Sequence, residues 1–231
     1  MRNKSPFSYI ETILLLTAFS AGAVDVISFA TLGGVFASAM TGNFALLAYY
    51  VAQSDAQSAM GSVIALTGFV LGCALGVLQR RSRAQGQALG LLLATETALL
   101  AFFALYALLT PHHAAHAPSD HLQILLLAVA MGVQAVIGQT VSVTTIVFTT
   151  TLTRLVGTIA DSIANGDSSG LKDVKIQSAV VVSYLFGALL SGALVVHRAD
   201  AVVLLPLIGV ALGFAVNRWS GRSPAAGSGY R

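Results

Sequence analysis

Four charged residues lie inside the long apolar stretches of this chain, beyond the first few residues of each. They are Asp25, Glu96, Arg154 and Asp161. A charge at the centre of a membrane helix costs about 2.5–3.5 kcal/mol on insertion scales, so such residues face a cavity or a partner. Each acid therefore has two interpretations: a coupling site for a proton or an ion, or a group that is hydrogen-bonded or ion-paired for assembly.

Arg154 is the only basic residue in the apolar body of the chain. It precedes Asp161 by seven residues, which places both on one helical face. We expect Arg154 to neutralise Asp25 or Glu96 in a structural ion pair, which leaves the other acid to titrate. The alternative is that Arg154 holds an anionic substrate by a bidentate contact.

Polar residues also interrupt two apolar stretches in the two halves of the chain. In Thr41-Gly42-Asn43, glycine allows close backbone approach to a ligand, and threonine and asparagine can cap a broken helix. In the second half, Gln134 and a threonine-rich run likewise interrupt an apolar stretch. The alternative is that these polar residues only serve helix packing. We predict a substrate site formed by Asp25, Thr41, Gly42, Asn43, Gln134, Thr149, Thr150 and Thr151.

Composition defines the class of protein. The 231 residues are 56% hydrophobic and 9% charged, with a mean hydropathy of +0.82. A soluble domain has about 25% charged residues, so this chain is an integral membrane protein. The net charge of +3 is small, and the basic residues lie in short clusters between the apolar runs. This distribution excludes a nucleic-acid partner. The lone Cys73 provides no disulfide framework.

Eight apolar runs can be marked along the chain. A spanning helix needs about 20 apolar residues, and the second, fifth and eighth runs are short or marginal. The sixth run is long enough but contains Arg154 and Asp161, so length alone does not fix the number of crossings. The runs are residues 10–30, 35–52, 62–78, 88–109, 122–137, 141–163, 179–196 and 201–216.

Basic residues distinguish two topologies, because cytoplasmic loops carry an excess of Lys and Arg. Eight crossings would divide these residues between both faces. Alternatively, the second and sixth runs are re-entrant and are enclosed by the six crossing helices. In that topology only Arg198 lies on the external side of the membrane. The residues then on the cytoplasmic side are Arg2, Lys4, Arg80, Arg81, Arg83, Lys172, Lys175, Arg218, Arg222 and Arg231.

The sequence thus predicts an all-α, polytopic membrane helix bundle of about six transmembrane helices plus two broken or re-entrant segments. One domain covers residues 1–220, and residues 218–231 form a disordered tail. Residues 69–72 with Gly76 resemble residues 184–187 with Ser191. This match predicts two pseudo-repeat halves, about 8–116 and 117–217, each with three crossings. The second half would enter the membrane from the opposite face, and a site would lie between the halves at the membrane midplane.

The motifs also resemble a known family. Gly22 and Asp25, residues 32–36 and residues 40–43 are similar to the opening of the YoaK family, small bacterial membrane proteins described with six spans. Gly132, Gln134 and residues 152–155 are similar too, whereas residues 149–151 read Thr-Thr-Thr where the family often has Thr-Gly-Thr. The resemblance implies a multi-pass protein of the bacterial inner membrane and no particular activity.

Three functions fit the sequence. The first is a transporter or channel for a small molecule or ion. Its partner would be the lipid bilayer, and it could be a monomer or a homo-oligomer. The second is a membrane-embedded enzyme, which we do not expect because P-loop, GxSxG and HExxH motifs are absent. The third is a non-transporting assembly or structural protein. We expect no cofactor and no metal, since the histidine-rich loop, residues 112–121, matches no ligand spacing.

Overall fold

The computed structural model describes residues 8–83, 85–110, 118–141, 148–165, 171–197 and 199–220. These residues form eight α-helices and one 3₁₀ turn, Asp200–Val203, and contain no strand. The predicted disordered tail, residues 218–231, is wrong for residues 218–220, which belong to the last helix, and residues 221–231 lie outside the described residues. The helices are α1 Tyr9–Thr31, α2 Met40–Ala52, α3 Ala56–Arg81, α4 Gln85–Leu109, α5 Pro118–Thr140, α6 Phe148–Asn165, α7 Leu171–Val196 and α8 Leu204–Ser220.

Six of the described helices are long and apolar enough to cross a membrane. They are α1, α3, α4, α5, α7, and α8 with its preceding 3₁₀ turn. Neither α2 nor α6 combines the required length and hydropathy. The predicted all-α bundle of six spans and two further segments is therefore confirmed.

The segment between α1 and α2 turns back along α1. Gly33 and Gly34 have φ angles of 86° and 77°, which glycine adopts without steric cost. After this turn, the Ser38 backbone N–H donates to Asp25 at 2.8 Å. Asp25 lies six residues before the end of α1, or about 9 Å at 1.5 Å per residue. Residues 32–39, called here the re-entrant segment, thus return to the depth of Asp25.

The far end of this turn lies beside the beginnings of two spans. A Cβ on Gly61 of α3 would lie 3.2 Å from Val35 and 3.8 Å from Ile124 of α5. The end of α1 and the starts of α3 and α5 are therefore at one side of the bundle. This arrangement fits α2 as a segment that enters and leaves on the same side.

Four helices form the centre of the bundle. α1 packs on α8, α8 on α4, α4 on α5, and α5 more lightly on α1. α7 lies against α1 and α3 against α5, while α6 and α2 pack on α7 and α3 respectively. The expectation that the six spans enclose the second run is wrong for α2, of which Asn43 is the one buried residue. α2 is helical and satisfies its own backbone groups, so enclosure is not required there. The non-helical residues Val35, Ala37 and Ser38 before it are buried, as the expectation requires.

Glycines bring α1 and α7 into backbone contact. A Cβ on Gly22 would overlap the carbonyl oxygen of Tyr184, and a Cβ on Gly187 would overlap that of Phe19. Further along the two helices, Gly192 faces Val26. The numbers of the contacting residues increase along both helices in the same direction, so α1 and α7 run parallel. They cross at Gly22 and Gly187, where neither helix has a side chain.

The contact of α3 with α5 repeats this arrangement. A Cβ on Gly72 would overlap the Val129 carbonyl oxygen, and a Cβ on Gly132 would overlap that of Phe69. In each crossing the glycine meets the carbonyl three residues before the partner glycine. The match between the two crossings favours the predicted halves, 8–116 and 117–217, which stay a prediction.

Thiol labelling tests the six-span topology. In a Cys73→Ala background, we expect cysteines at Ser5 and Ser82 to react with an impermeant reagent only after permeabilisation. A cysteine at Gln53 should react in intact cells, because α1 alone separates it from Ser5. Ser5 and Ser82 on opposite faces would contradict this topology, since α2 would then also cross.

Alanine substitutions test the glycine crossings. Gly22→Ala and Gly72→Ala should each lower stability by about 1–3 kcal/mol or more, because the added methyl forces the backbones apart. Gly157→Ala is the matched control, since nothing lies within 4 Å of its Cβ position and alanine favours a helix by about 1 kcal/mol. Thermal unfolding in detergent measures the difference, and equal midpoints for all variants would contradict the close crossings.

Candidate functional site

The carboxylate of Asp25 is buried on α1 and receives three hydrogen bonds. The Ser38 backbone N–H donates to Oδ1 at 2.8 Å, and the Ser38 hydroxyl donates to Oδ2 at 2.5 Å. The Tyr184 hydroxyl donates to Oδ2 at 2.9 Å. Asp25 is 3% exposed, so these donors replace the water that a carboxylate would otherwise bind.

These bonds join three separate parts of the chain. Asp25 belongs to α1, Ser38 to the re-entrant segment and Tyr184 to α7. Because Tyr184 lies in the second predicted half, Asp25 connects the two halves of the molecule. We take Asp25, Ser38 and Tyr184 as the candidate site and call them the Asp25 cluster.

Asn43 fixes the middle of the re-entrant segment, at Phe36. Its side chain accepts from the Phe36 N–H at 2.9 Å and donates to the Phe36 carbonyl at 2.6 Å. Asn43 is fully buried, and a Cβ on Gly42 would lie 3.1 Å from the Phe36 ring. Asn43 and Gly42 therefore hold the turn in place, whereas the neighbouring Thr41 is exposed.

Gln134 lies at a different depth from Asp25. Its amide nitrogen donates to the Thr17 carbonyl at 3.0 Å. Thr17 precedes Asp25 by eight residues, which is about 12 Å along a helix. The structure thus does not bring Gln134 into the Asp25 cluster.

The threonine run of the second half lies on a different helix from Asp25. Thr149, Thr150 and Thr151 lie in the first turn of α6, which packs on α7. Thr151 is buried, and the side chains of Thr149 and Thr150 lie outside the described residues. The hydrogen bonds to Asp25 come from Ser38 and Tyr184 instead.

The expected ion pair between Arg154 and a buried acid does not form. Arg154 and Asp161 are both exposed on α6, because that helix lies at the periphery. Glu96 is completely buried on α4, and neither of its carboxyl oxygens has a hydrogen-bond partner. Asp25 is satisfied by hydroxyl and amide donors, so a cation is not needed there.

Sequence analysis missed Ser38 and Tyr184 as members of this cluster. Tyr184 was named only as the counterpart of Phe69 in the internal repeat. The hydroxyl that distinguishes the tyrosine from its counterpart is the atom that donates to Asp25. This difference within the repeat is the signal that could have identified it.

Substitution of Asn43 tests its role in the turn. Asn43→Ala should destabilise the protein by about 1–3 kcal/mol, because both backbone groups of Phe36 lose their partner. Limited proteolysis within residues 32–39 should also become faster. Thr41→Ala is the control and should leave both properties unchanged; an equal response of the two variants would contradict the assignment.

Comparison with known proteins agrees with this architecture. A family model described as "Protein of unknown function (DUF1275)" matches residues 13–216. The UPF0700 transmembrane protein YoaK of Bacillus subtilis (strain 168) is 29% identical over 191 residues, which are 79% of this chain and 83% of the relative. No solved structure matches. The predicted resemblance to YoaK is confirmed, and the chain is a multi-pass membrane protein that belongs to the DUF1275 family.

Proposed function

We propose that this protein transports a small polar solute and that the re-entrant segment acts as its gate at Asp25. The observation that supports the proposal is the set of three hydrogen bonds by which Asp25 holds both Ser38 and Tyr184. One buried carboxylate thereby joins the re-entrant segment to helices of both predicted halves. Sites of this kind, next to interrupted helices, are typical of secondary transporters.

The chemistry of the cluster defines a class of solute. A carboxylate only accepts hydrogen bonds, so a solute must bring donors to replace those of Ser38 and Tyr184. An ammonium group or several hydroxyls would do so. Arg154 is exposed on α6, which removes the support for an anionic solute bound at that side chain.

Movement of the gate would break the hydrogen bonds of Ser38 to Asp25 and would expose Leu32, Val35 and Ala37, which are buried in the main core. Gly33 and Gly34 provide a turn with positive φ, and the Asn43–Phe36 pair keeps the start of α2 attached to the segment. The segment and the start of α2 would therefore move together. We infer that the described conformation is the closed state of this gate.

Catalysis has less support than transport. An enzyme needs a paired acid and base, or a metal, within reach of the substrate. The hydrogen-bonded neighbours of Asp25 are two hydroxyls and one backbone amide. These groups bind and orient a carboxylate, which suits a gate.

A flux assay tests the proposal. Purified protein in liposomes is supplied with one solute class at a time: primary amines, amino acids, polyols or monovalent cations. We expect a solute with hydrogen-bond donors to give flux that Asp25→Asn lowers about tenfold or more, since a charge-assisted hydrogen bond contributes about 1.5–3 kcal/mol. The amount of protein in the membrane should not change.

Two further variants define the controls. Tyr184→Phe removes one of the three donors and should give an intermediate flux, whereas Thr41→Ala alters an exposed neighbour and should match the wild type. Wild-type flux in Asp25→Asn would reject the role of Asp25. An absence of flux for every solute class would reject transport itself.

A further inference from the structure

Glu96 is a second buried acid, in surroundings opposite to those of Asp25. It lies midway along α4, is completely buried, and has no hydrogen-bond partner at either carboxyl oxygen. Asp25 has three donors. A charged carboxylate without donors, away from water, is strongly unfavourable.

The residues that share the helical face of Glu96 are apolar. Leu92, Leu93 and Leu100 are three or four residues away, which places them on the same face. All three are fully buried in the main hydrophobic core. This face supplies no hydrogen-bond donor, so the neutral acid, with its proton bound, is the form that fits.

Contacts through α8 define the depth of Glu96. Near the start of α4, a Cβ on Gly90 would lie 3.1 Å from the side chain of Asn217, close to the end of α8. The 3₁₀ turn before α8 also packs on α4, so the two helices are antiparallel. Six residues beyond Gly90, Glu96 is thus level with α8 between Gly209 and Gly213.

The same part of α8 lies against the middle of α1. Cβ atoms on Gly209 and Gly213 would both approach Leu16, at 3.0 and 3.9 Å. The next residue, Thr17, accepts the amide N–H of Gln134. Glu96 and Gln134 therefore lie at one depth, on α4 and α5, and these two helices pack together.

Gln134 has an unpartnered acceptor at this depth. Its Oε1 atom is buried without a hydrogen bond, although its amide nitrogen is satisfied. A protonated carboxyl is a hydrogen-bond donor, while a carboxylate is not. The two unpartnered groups are therefore complementary only when Glu96 carries a proton.

We propose that Glu96 is a proton-binding site in the core of the bundle, with the side-chain oxygen of Gln134 as the acceptor of its O–H group. The site is separate from the Asp25 cluster, because Thr17 and Asp25 are eight residues apart on α1. Its further role, as the site of the coupling proton, rests on the proposed transport function.

The other ionisable groups on the elements that pack against α4 belong mainly to helix ends. None of them is hydrogen-bonded to Glu96, and the thiol of Cys73 is the one group within a span. Glu96 therefore takes up or releases its proton without a neighbouring charge to compensate. The groups at the ends of the described elements are Arg80, Arg81, Asp120, His121, Asp200 and Arg218.

Dicyclohexylcarbodiimide, an apolar reagent, tests the proton site in the full-length protein in membranes. The carboxylic acid adds across one C=N bond: its proton goes to nitrogen and its oxygen bonds to the central carbon. Acyl transfer to nitrogen then leaves a stable N-acylurea. We expect one adduct, mapped to Glu96, that is absent in Glu96→Gln and retained in Asp25→Asn. A water-soluble carbodiimide should not react.

Infrared spectroscopy tests the acceptor. A C=O stretching band of a protonated carboxyl should be present in the wild type and lost in Glu96→Gln. Gln134→Leu should shift that band to higher frequency, because the hydrogen bond is lost. Gln134→Met has a similar length and no amide oxygen, so it should give the same shift and is the second variant if Gln134→Leu does not fold. No adduct at Glu96, together with no band sensitive to Glu96→Gln, would overturn the proton site.

The coupling role has its own measurement. In liposomes that transport a solute, Glu96→Gln should lose the dependence of flux on an imposed pH gradient. An unchanged dependence would overturn the coupling role. If no solute is transported, the carbodiimide and infrared results still decide whether the proton site exists, so its failure is distinct from failure of the proposed function.

Discussion

The hydrogen bonds to Asp25 determine how the first third of the chain is arranged. A carboxylate buried in an apolar bundle needs donors in place of water, and Asp25 obtains them from Ser38 and Tyr184. Ser38 reaches it only because Gly33 and Gly34 reverse the chain and Asn43 holds Phe36. The second half of the re-entrant segment is thus fixed at Phe36 and at Ser38 by buried polar groups.

The close crossing of α1 and α7 makes the third hydrogen bond feasible. Gly22 has the Tyr184 carbonyl directly against its Cα, so the backbones approach more closely than larger residues allow. At this short separation, the Tyr184 hydroxyl reaches a carboxylate three residues further along α1. The equivalent crossing of α3 and α5 has the same glycine geometry but no acid, since Ala135 follows Gly132 by three residues.

The two buried acids differ in their surroundings, and this difference suggests different roles. Asp25 accepts three donors from the re-entrant segment and from α7, which suits the proposed gate. Glu96 lies among leucines with no hydrogen-bond partner, which suits a bound proton. In the proposed proton-coupled transporter, the gate at Asp25 and the proton site at Glu96 would lie at different depths of one bundle.

The sequence by itself determined the class of protein, because hydropathy is a local property of each run, and the distribution of basic residues then favoured six spans with two further segments. It also indicated which residues were polar in apolar surroundings. Only the tertiary structure decided their partners. Asp25 binds Ser38 and Tyr184 and not Arg154, Gln134 lies at another depth, and Thr41 is exposed. Such pairings depend on the rotation and depth of each helix, which its neighbours set through packing.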